Sequence, residues 1–196
     1  MNIKIITISR EFGSGGRTIG KKLAEDLGIP CYDKEIIEKI ADTTKLDKRF
    51  IEEQGEYAPS RNAFAYAFVG RNVGGMSLSD YLWSKQREKI LEIAEKESCV
   101  IVGRCADYIL RDRDDVLNVF IHASEEFKEK RIVEVYGETD KSPKKRLSEK
   151  DKKRSVNYSY YTDQVWGKAQ NYHVTLDSGK LGIERCAGIL AGIVKK

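Results

Sequence analysis

Apolar positions follow two rhythms that alternate along this chain. Ile3–Ser9 (IKIITIS) is short, β-branched and bounded by polar residues, the pattern of a buried strand. Thr18–Leu27 (TIGKKLAEDL) then places Ile19, Leu23 and Leu27 at helical spacing, and Gly28 supplies a stop. Ile29–Asp33 is a short extended piece, and Lys34–Ala41 is helical again with Ile36, Ile37 and Ile40 on one side. Leu78–Lys96 predicts a long helix whose apolar side carries Leu78, Leu82, Ile90, Ile93 and Ala94. Cys99–Val102 (CVIV) and Val116–Ile121 (VLNVFI) are strands separated by a turn at Asp112–Asp115. Ser124–Tyr136 is helical up to Gly137. A further helix opens at Ser142–Pro143, with Ser as N-cap and Pro at the first position. Val174–Leu176 reads as a last short strand, and Ile183–Val194 as a closing helix weakened by Gly188 and Gly192.

Strands alternating with helices of this length predict an α/β fold, a parallel sheet covered by helices on both faces. Ligands of such sheets bind at the C-terminal ends of the strands. Asp47–Gly75 breaks the rhythm. It holds turn formers, Pro59, an aromatic and alanine-rich stretch at Phe64–Phe68, and Gly70, Gly74 and Gly75. We read one domain over residues 1–196, with residues 45–98 as an acceptor-side helical insertion and residues 137–160 as a lid. Phe64, Tyr66, Phe68, Trp83 and Trp166 read as packing residues.

Composition narrows the function classes. With 40% hydrophobic and 34% charged residues the chain is of a globular type. A formal charge of +4, from 35 basic and 31 acidic residues, is too mild to demand a nucleic-acid partner. No apolar stretch approaches the ~18 residues of a membrane span. The apolar run from Ile3 is too short for a secretory leader, so it reads as the first strand. Cys31, Cys99, Cys105 and Cys186 form no CxxC pair, and His122 and His173 stand alone. A zinc site is therefore not expected, and the cysteines read as reduced, mostly buried thiols of a cytoplasmic protein. Nothing in the sequence sets the oligomeric state.

The chemistry concentrates in the loop after the first strand, Ser9-Arg-Glu-Phe-Gly-Ser-Gly-Gly-Arg-Thr18. Gly13, Gly15 and Gly16 let backbone amides around Ser14 curl about an anion. The helix that follows adds its positive end. Compared with the phosphate-loop pattern GxxxxGK[ST], Glu11 takes the first glycine position and Arg17 the lysine. A guanidinium keeps its charge and grips phosphate oxygens in bidentate fashion. Thr18 stands where a hydroxyl would hold Mg²⁺. The bland alternative is a glycine-rich turn without a ligand.

With this loop in place, the chain resembles the cytidylate kinase-like family, a branch of the P-loop nucleoside monophosphate kinases. The stretches that carry the resemblance occur in the family's order: ITISREFGSGGRTIGKKLAEDLGIPCYDKEII, VIVGRCADYIL, VFIHASEEFKEKR, KDKKR and VTLDSGKLGIE. Lys45–Glu97 matches least. The resemblance implies a three-layer P-loop fold, ATP and Mg²⁺, and transfer of the γ-phosphoryl group to a nucleotide phosphate. Arg104, in Gly103-Arg104-Cys105-Ala106-Asp107, corresponds to the acceptor-binding arginine of a GRD motif; Cys105 stands in for its Asp, and Asp107 follows two residues on. Asp33 in YDKE resembles an acceptor-side Asp, without the arginine that follows it in the family. Lys128 and Arg131 fall at basic positions of the family. Asp151 and Arg154 resemble a D-x-x-R pattern near the transferring group, and Arg146 lies near the spacing of a further substrate arginine.

Phosphoryl transfer requires alignment and charge neutralisation, and an anionic phosphate acceptor needs no strong general base. Lys141–Arg154 holds eight cations against Glu149 and Asp151, and on a helix Arg146, Lys150, Lys153 and Arg154 share one side. Most of its lysines read as a solvated face. The expected roles are therefore loop and cofactor binding by Gly13–Thr18, catalysis by Arg17, Arg131 and Arg154, and acceptor binding by Asp33, Arg104, Asp107, Arg146 and Asp151. CMP or dCMP are the first acceptor candidates. The alternatives are a kinase of another small metabolite, with Asp33 as base, and a non-catalytic nucleotide-binding module.

Overall fold

The computed structural model describes residues 2–33, 35–44, 46–48, 51 and 77–195. The Phe64–Phe68 stretch lies outside them, as does most of residues 45–76. Among the described residues five strands form one parallel sheet: β1 (Ile5–Arg10), β2 (Cys31–Tyr32), β3 (Cys99–Val102), β4 (Val116–His122) and β5 (Val174–Asp177), in the order β2-β3-β1-β4-β5. The expected strand Ile3–Ser9 is shifted to Ile5–Arg10 because its partner sets the register. The β1–β4 ladder begins at Ile5 opposite Val116 and ends at Arg10 opposite Ile121.

Helices α1 (Gly16–Leu27), α2 (Glu35–Thr44) and α3 (Leu78–Lys96) come first. They are followed by the short α4 (Ala106–Ile109), α5 (Glu125–Tyr136), α6 (Pro143–Thr162), the short α7 (Ser178–Leu181) and α8 (Ile183–Val194). Ser77, Ser124 and Ser142 cap α3, α5 and α6 by accepting from backbone amides, and Pro143 begins α6 as its sequence implies. α2 runs three residues beyond the expected Ala41, and the Thr44 hydroxyl donates to the Ile40 carbonyl at 2.8 Å to close its last turn.

Alternation along the strands divides the core in two. Ile5, Cys99 and Ile101 meet Ile36, Ile37 and Ile40 of α2 and Leu82, Ile90 and Ile93 of α3. Ile6, Ile8, Val100 and Val102 meet Ile19 and Leu23 of α1 and Leu190 of α8 on the other face. α3, expected within the insertion, is thus a core helix of the first face. Trp83 on α3 stacks on Tyr161 of α6, 4.2 Å between ring centroids. The chain leaves β1 for one side of the sheet and crosses to the other after β3, so the loop after β1 opens at a switch point of the sheet. No helix among the described residues is long and apolar enough to cross a membrane.

Candidate active site

The loop between β1 and α1 turns on glycine. Gly13 and Gly15 have φ of 83° and 80°, in the left-handed region that L side chains avoid. A Cβ on Gly13 would lie 2.9 Å from the Lys128 carbonyl oxygen. Gly15 is the N-cap of α1, and no side chain caps that helix. The first α1 amides are among those a helix leaves unpaired, and they lie where an anion gains from the helix dipole. Ser14 is fully buried; its hydroxyl donates to the Glu11 carbonyl at 2.9 Å and its own carbonyl accepts from Ser178. Ser14 therefore braces the loop and does not face the cleft.

A cleft of about 640 Å³ opens over this loop. Gly13, Gly15, Gly16, Arg17 and Thr18 line it, together with Asp33, Arg104, Arg131, Arg146 and Arg154. The residues expected from five separate segments thus meet at one place. Arg17 Nε pairs with Asp33 Oδ2 at 2.5 Å. Arg131 Nη2 donates to the Thr18 hydroxyl at 2.9 Å. Lys128 pairs with Glu11 at 2.8 Å, and that carboxylate also accepts from the Ala123 amide at 3.3 Å. The glutamate in the glycine position is therefore neutralised by α5. Arg146 Nη1 donates to the Gly137 carbonyl at 2.7 Å. Arg154 Nη1 donates to the Arg10 carbonyl at 3.2 Å and pairs with Asp151 at 3.3 Å.

Two expected acceptor residues lie outside the cleft lining. Asp151 accepts the Phe12 amide at 2.7 Å, fixing the loop from α6. Burial pushes its carboxyl upward, against the Phe12 amide and the Arg154 charge. Asp107 is 3% exposed and accepts from Tyr158 Oη at 2.7 Å and Ser9 Oγ at 3.4 Å. Burial raises its carboxyl above the ordinary range, and the Tyr158 and Ser9 hydrogen bonds oppose that. Asp107 is a buried tie between α4, β1 and α6.

Arg104 sits on strained backbone. Gly103, Arg104 and Cys105 follow β3 with φ of 75°, 59° and 52°. Arginine and cysteine in this region cost about 1–3 kcal/mol each and persist only where the surroundings impose the turn. The buried Gln86 of α3 donates to the Arg104 carbonyl at 3.0 Å. The Arg10 guanidinium packs against Gly103, where a Cβ would collide with it.

Gln86 and Phe12 carried no sequence signal, since each acts through a partner distant in the chain. Tyr158 did carry one: it lies four residues after Arg154, one helical turn along the same face. Phe12 stacks on Tyr136 at 5.5 Å between centroids, and Arg154 lies 5.7 Å from the Phe12 ring.

The uncapped α1 terminus, the two left-handed glycines and the surrounding guanidinium groups fit a polyphosphate. For Mg²⁺ the protein offers little: among the described residues no group of three His, Cys, Asp or Glu side chains is placed to hold a metal. Thr18 Oγ1 accepts one hydrogen bond from Arg131 and keeps a second lone pair with which it could ligate a metal.

The sequence profile of the cytidylate kinase-like family matches residues 5–180. No curated protein matches the sequence. An uncharacterized protein from Eubacterium ventriosum, known from its crystal structure, is 29% identical over 98% of each chain, with a TM-score of 0.74. A shikimate kinase from Acinetobacter baumannii, solved with shikimate, is 15% identical over 98% of this chain and 93% of that one, TM-score 0.56. A gluconokinase from Sinorhizobium meliloti is 16% identical over 99% and 95%, TM-score 0.51. The last two are likenesses of fold alone, and the fold is the α/β P-loop kinase-like one.

Proposed function

The chain belongs to the cytidylate kinase-like family, and from that premise we propose that it transfers the γ-phosphoryl group of ATP to a nucleoside monophosphate, CMP or dCMP first. One observation carries this reading. Arg10, Arg17, Arg104, Arg131, Arg146 and Arg154 line a single cleft above an uncapped helix terminus, against the carboxylates of Glu11, Asp33, Asp140 and Glu149 among the described residues. Cations on both flanks of the loop suit two phosphate-bearing ligands placed end to end.

In the transfer, an acceptor phosphate oxygen forms a bond to the γ-phosphorus as the bond to the β–γ bridging oxygen breaks, leaving ADP. The attacking oxygen is already anionic, so the protein's work is alignment and neutralisation of charge. ATP would supply the group that moves; Thr18 would hold Mg²⁺ beside its phosphates, and the charge of that ion would neutralise their oxygens. Arg104 and Arg17, on the β2–β3 flank with Asp33, would hold the acceptor. Arg131 and Arg154, from α5 and α6, would hold the transferring group, and Arg146 would close over it. Residues 137–160 act as the lid, excluding water that would otherwise take the phosphoryl group. Asp151 and Asp107 position these groups without touching substrate.

A panel of nucleoside monophosphates in a coupled assay for ADP tests the proposal: CMP or dCMP accelerates ADP release above the no-acceptor rate. Uniformly acceptor-independent release across the panel would sink it, and tight ATP binding without turnover would point to a binding module. A second reading draws on Asp33, which is 6% exposed yet lines the cleft. In a kinase with a hydroxyl acceptor Asp33 would serve as base. Turnover of a hydroxylated metabolite that disappears in Asp33→Asn would favour it.

A further inference from the structure

The phosphate loop has an arginine where a phosphate-binding lysine is expected, yet that arginine is drawn away from the loop. Arg17 Nε lies 2.5 Å from Asp33 Oδ2, and Asp33 follows β2, the edge strand of the sheet. Arg104 follows β3 on the same flank. The guanidinium that lies over the loop comes from the opposite flank. Arg131 belongs to α5, which follows β4. Its Nη2 is 2.9 Å from Thr18 Oγ1, and its Nε is 3.1 Å from where a Gly15 Cβ would stand. It therefore covers the α1 terminus itself. On the same helix, three residues earlier, Lys128 neutralises Glu11, the carboxylate that would repel a polyphosphate at the loop's entrance.

We infer that Arg131 supplies the loop's phosphate-gripping cation in place of the lysine, and that Arg17, held by Asp33, belongs to the acceptor subsite. The inference rests on the proposed ATP-dependent reading and divides its two subsites. A fork-shaped guanidinium above amides at a helix end engages terminal phosphate oxygens in bidentate fashion. Arg17, tied at Nε, presents its charge to the cleft that Arg104 lines from the end of β3.

Calorimetric titration with ATP and Mg²⁺, without acceptor, tests the division. Removing a charged hydrogen-bonding partner changes affinity by about 10- to 100-fold. Arg131→Ala is expected to weaken ATP binding by that factor, while Arg17→Ala and Asp33→Asn stay within about threefold of wild type. Arg131→Lys, which keeps the charge and loses the fork, is expected to fall between, and it serves should the alanine variant fail to fold. An Arg17→Ala loss equal to or larger than that of the Arg131 variants overturns the inference and leaves the proposed kinase activity standing. The expected pattern of ATP affinities without any monophosphate-dependent turnover upholds the inference and overturns the activity. Wild type that binds no ATP overturns both.

Discussion

The two flanks of the cleft hold the phosphate loop by different means. On the β4 side, α5 and α6 grip it directly: Lys128 on Glu11, Arg131 on Thr18, Asp151 on the Phe12 amide, and Arg154 on the Arg10 carbonyl. On the β2–β3 side the contact runs through the Arg17–Asp33 pair and the packing of Arg10 against Gly103, and Arg104 rides on a left-handed turn. The α5–α6 flank is assembled by hydrogen bonds to the loop itself. On the β2–β3 flank, the left-handed turn at Arg104 is supported from behind by the hydrogen bond from Gln86 of the core helix α3. A cleft so built has one flank fixed by direct hydrogen bonds to the loop and another whose geometry depends on a few supporting contacts.

The largest expected effect of breaking this asymmetry falls on Asp151. Asp151→Asn removes the charge that orders both the Phe12 amide and Arg154, and kcat/KM should fall about 10- to 100-fold, read in steady-state kinetics at saturating acceptor and then at saturating ATP. Both titrations should show the loss, because the loop serves both halves. Gln86→Leu touches the acceptor flank alone. Without its hydrogen bond to the Arg104 carbonyl, the acceptor KM should rise about 2- to 10-fold while ATP affinity holds. An equal loss in ATP affinity would show that the flanks are not separable.

Smaller effects belong to the tie beneath both flanks. Tyr158→Phe leaves the buried Asp107 carboxyl with one fewer donor, a cost of about 1–3 kcal/mol, and each kcal/mol lowers Tm by about 2–4 °C at this chain length. Asp107 also gives a pH signature. Its carboxyl is raised by burial in the folded state, so the native protein holds that proton more tightly than the unfolded chain. The contribution is full below the ordinary carboxylate value of about 4 and is lost as pH rises through the raised folded value. Urea melts across that range should show wild type losing stability relative to Asp107→Asn as pH increases. A constant difference would place the ionisation elsewhere. At the bottom of the scale stands Lys144, paired with Glu125 at 3.2 Å on the exposed surface between α5 and α6. Lys144→Ala should leave both Tm and turnover unchanged, since exposed pairs of this kind contribute little.

The α/β frame was legible in the sequence because each strand and helix carries its own period. Ile6 and Ile8 alternate with Thr7, and Ile19 and Leu23 recur at one helical turn. The glycine loop was legible because left-handed backbone at Gly13 and Gly15 admits few other residues. The supporting ties were not. Asp151 and Phe12 are 139 residues apart and Asp107 and Tyr158 are 51 apart, and periodicity reports only on a residue's own element. This is why Asp107, an acceptor candidate from its place beside Arg104, turned out to be buried behind the site. It is also why Ser14, inside the loop motif, faces the core. α3, which the sequence assigned to the insertion, packs on the sheet because its apolar side matches Ile36 and Ile40 of α2.

The central claim is that phosphorus leaves ATP and arrives on a phosphate. Phosphorus NMR of the full chain with ATP, Mg²⁺ and CMP reads that transfer atom by atom. The expected result is loss of the ATP γ resonance with matched growth of two nucleoside diphosphates and no inorganic phosphate. Growth of inorganic phosphate alone, or an unchanged CMP resonance beside consumed ATP, would contradict it.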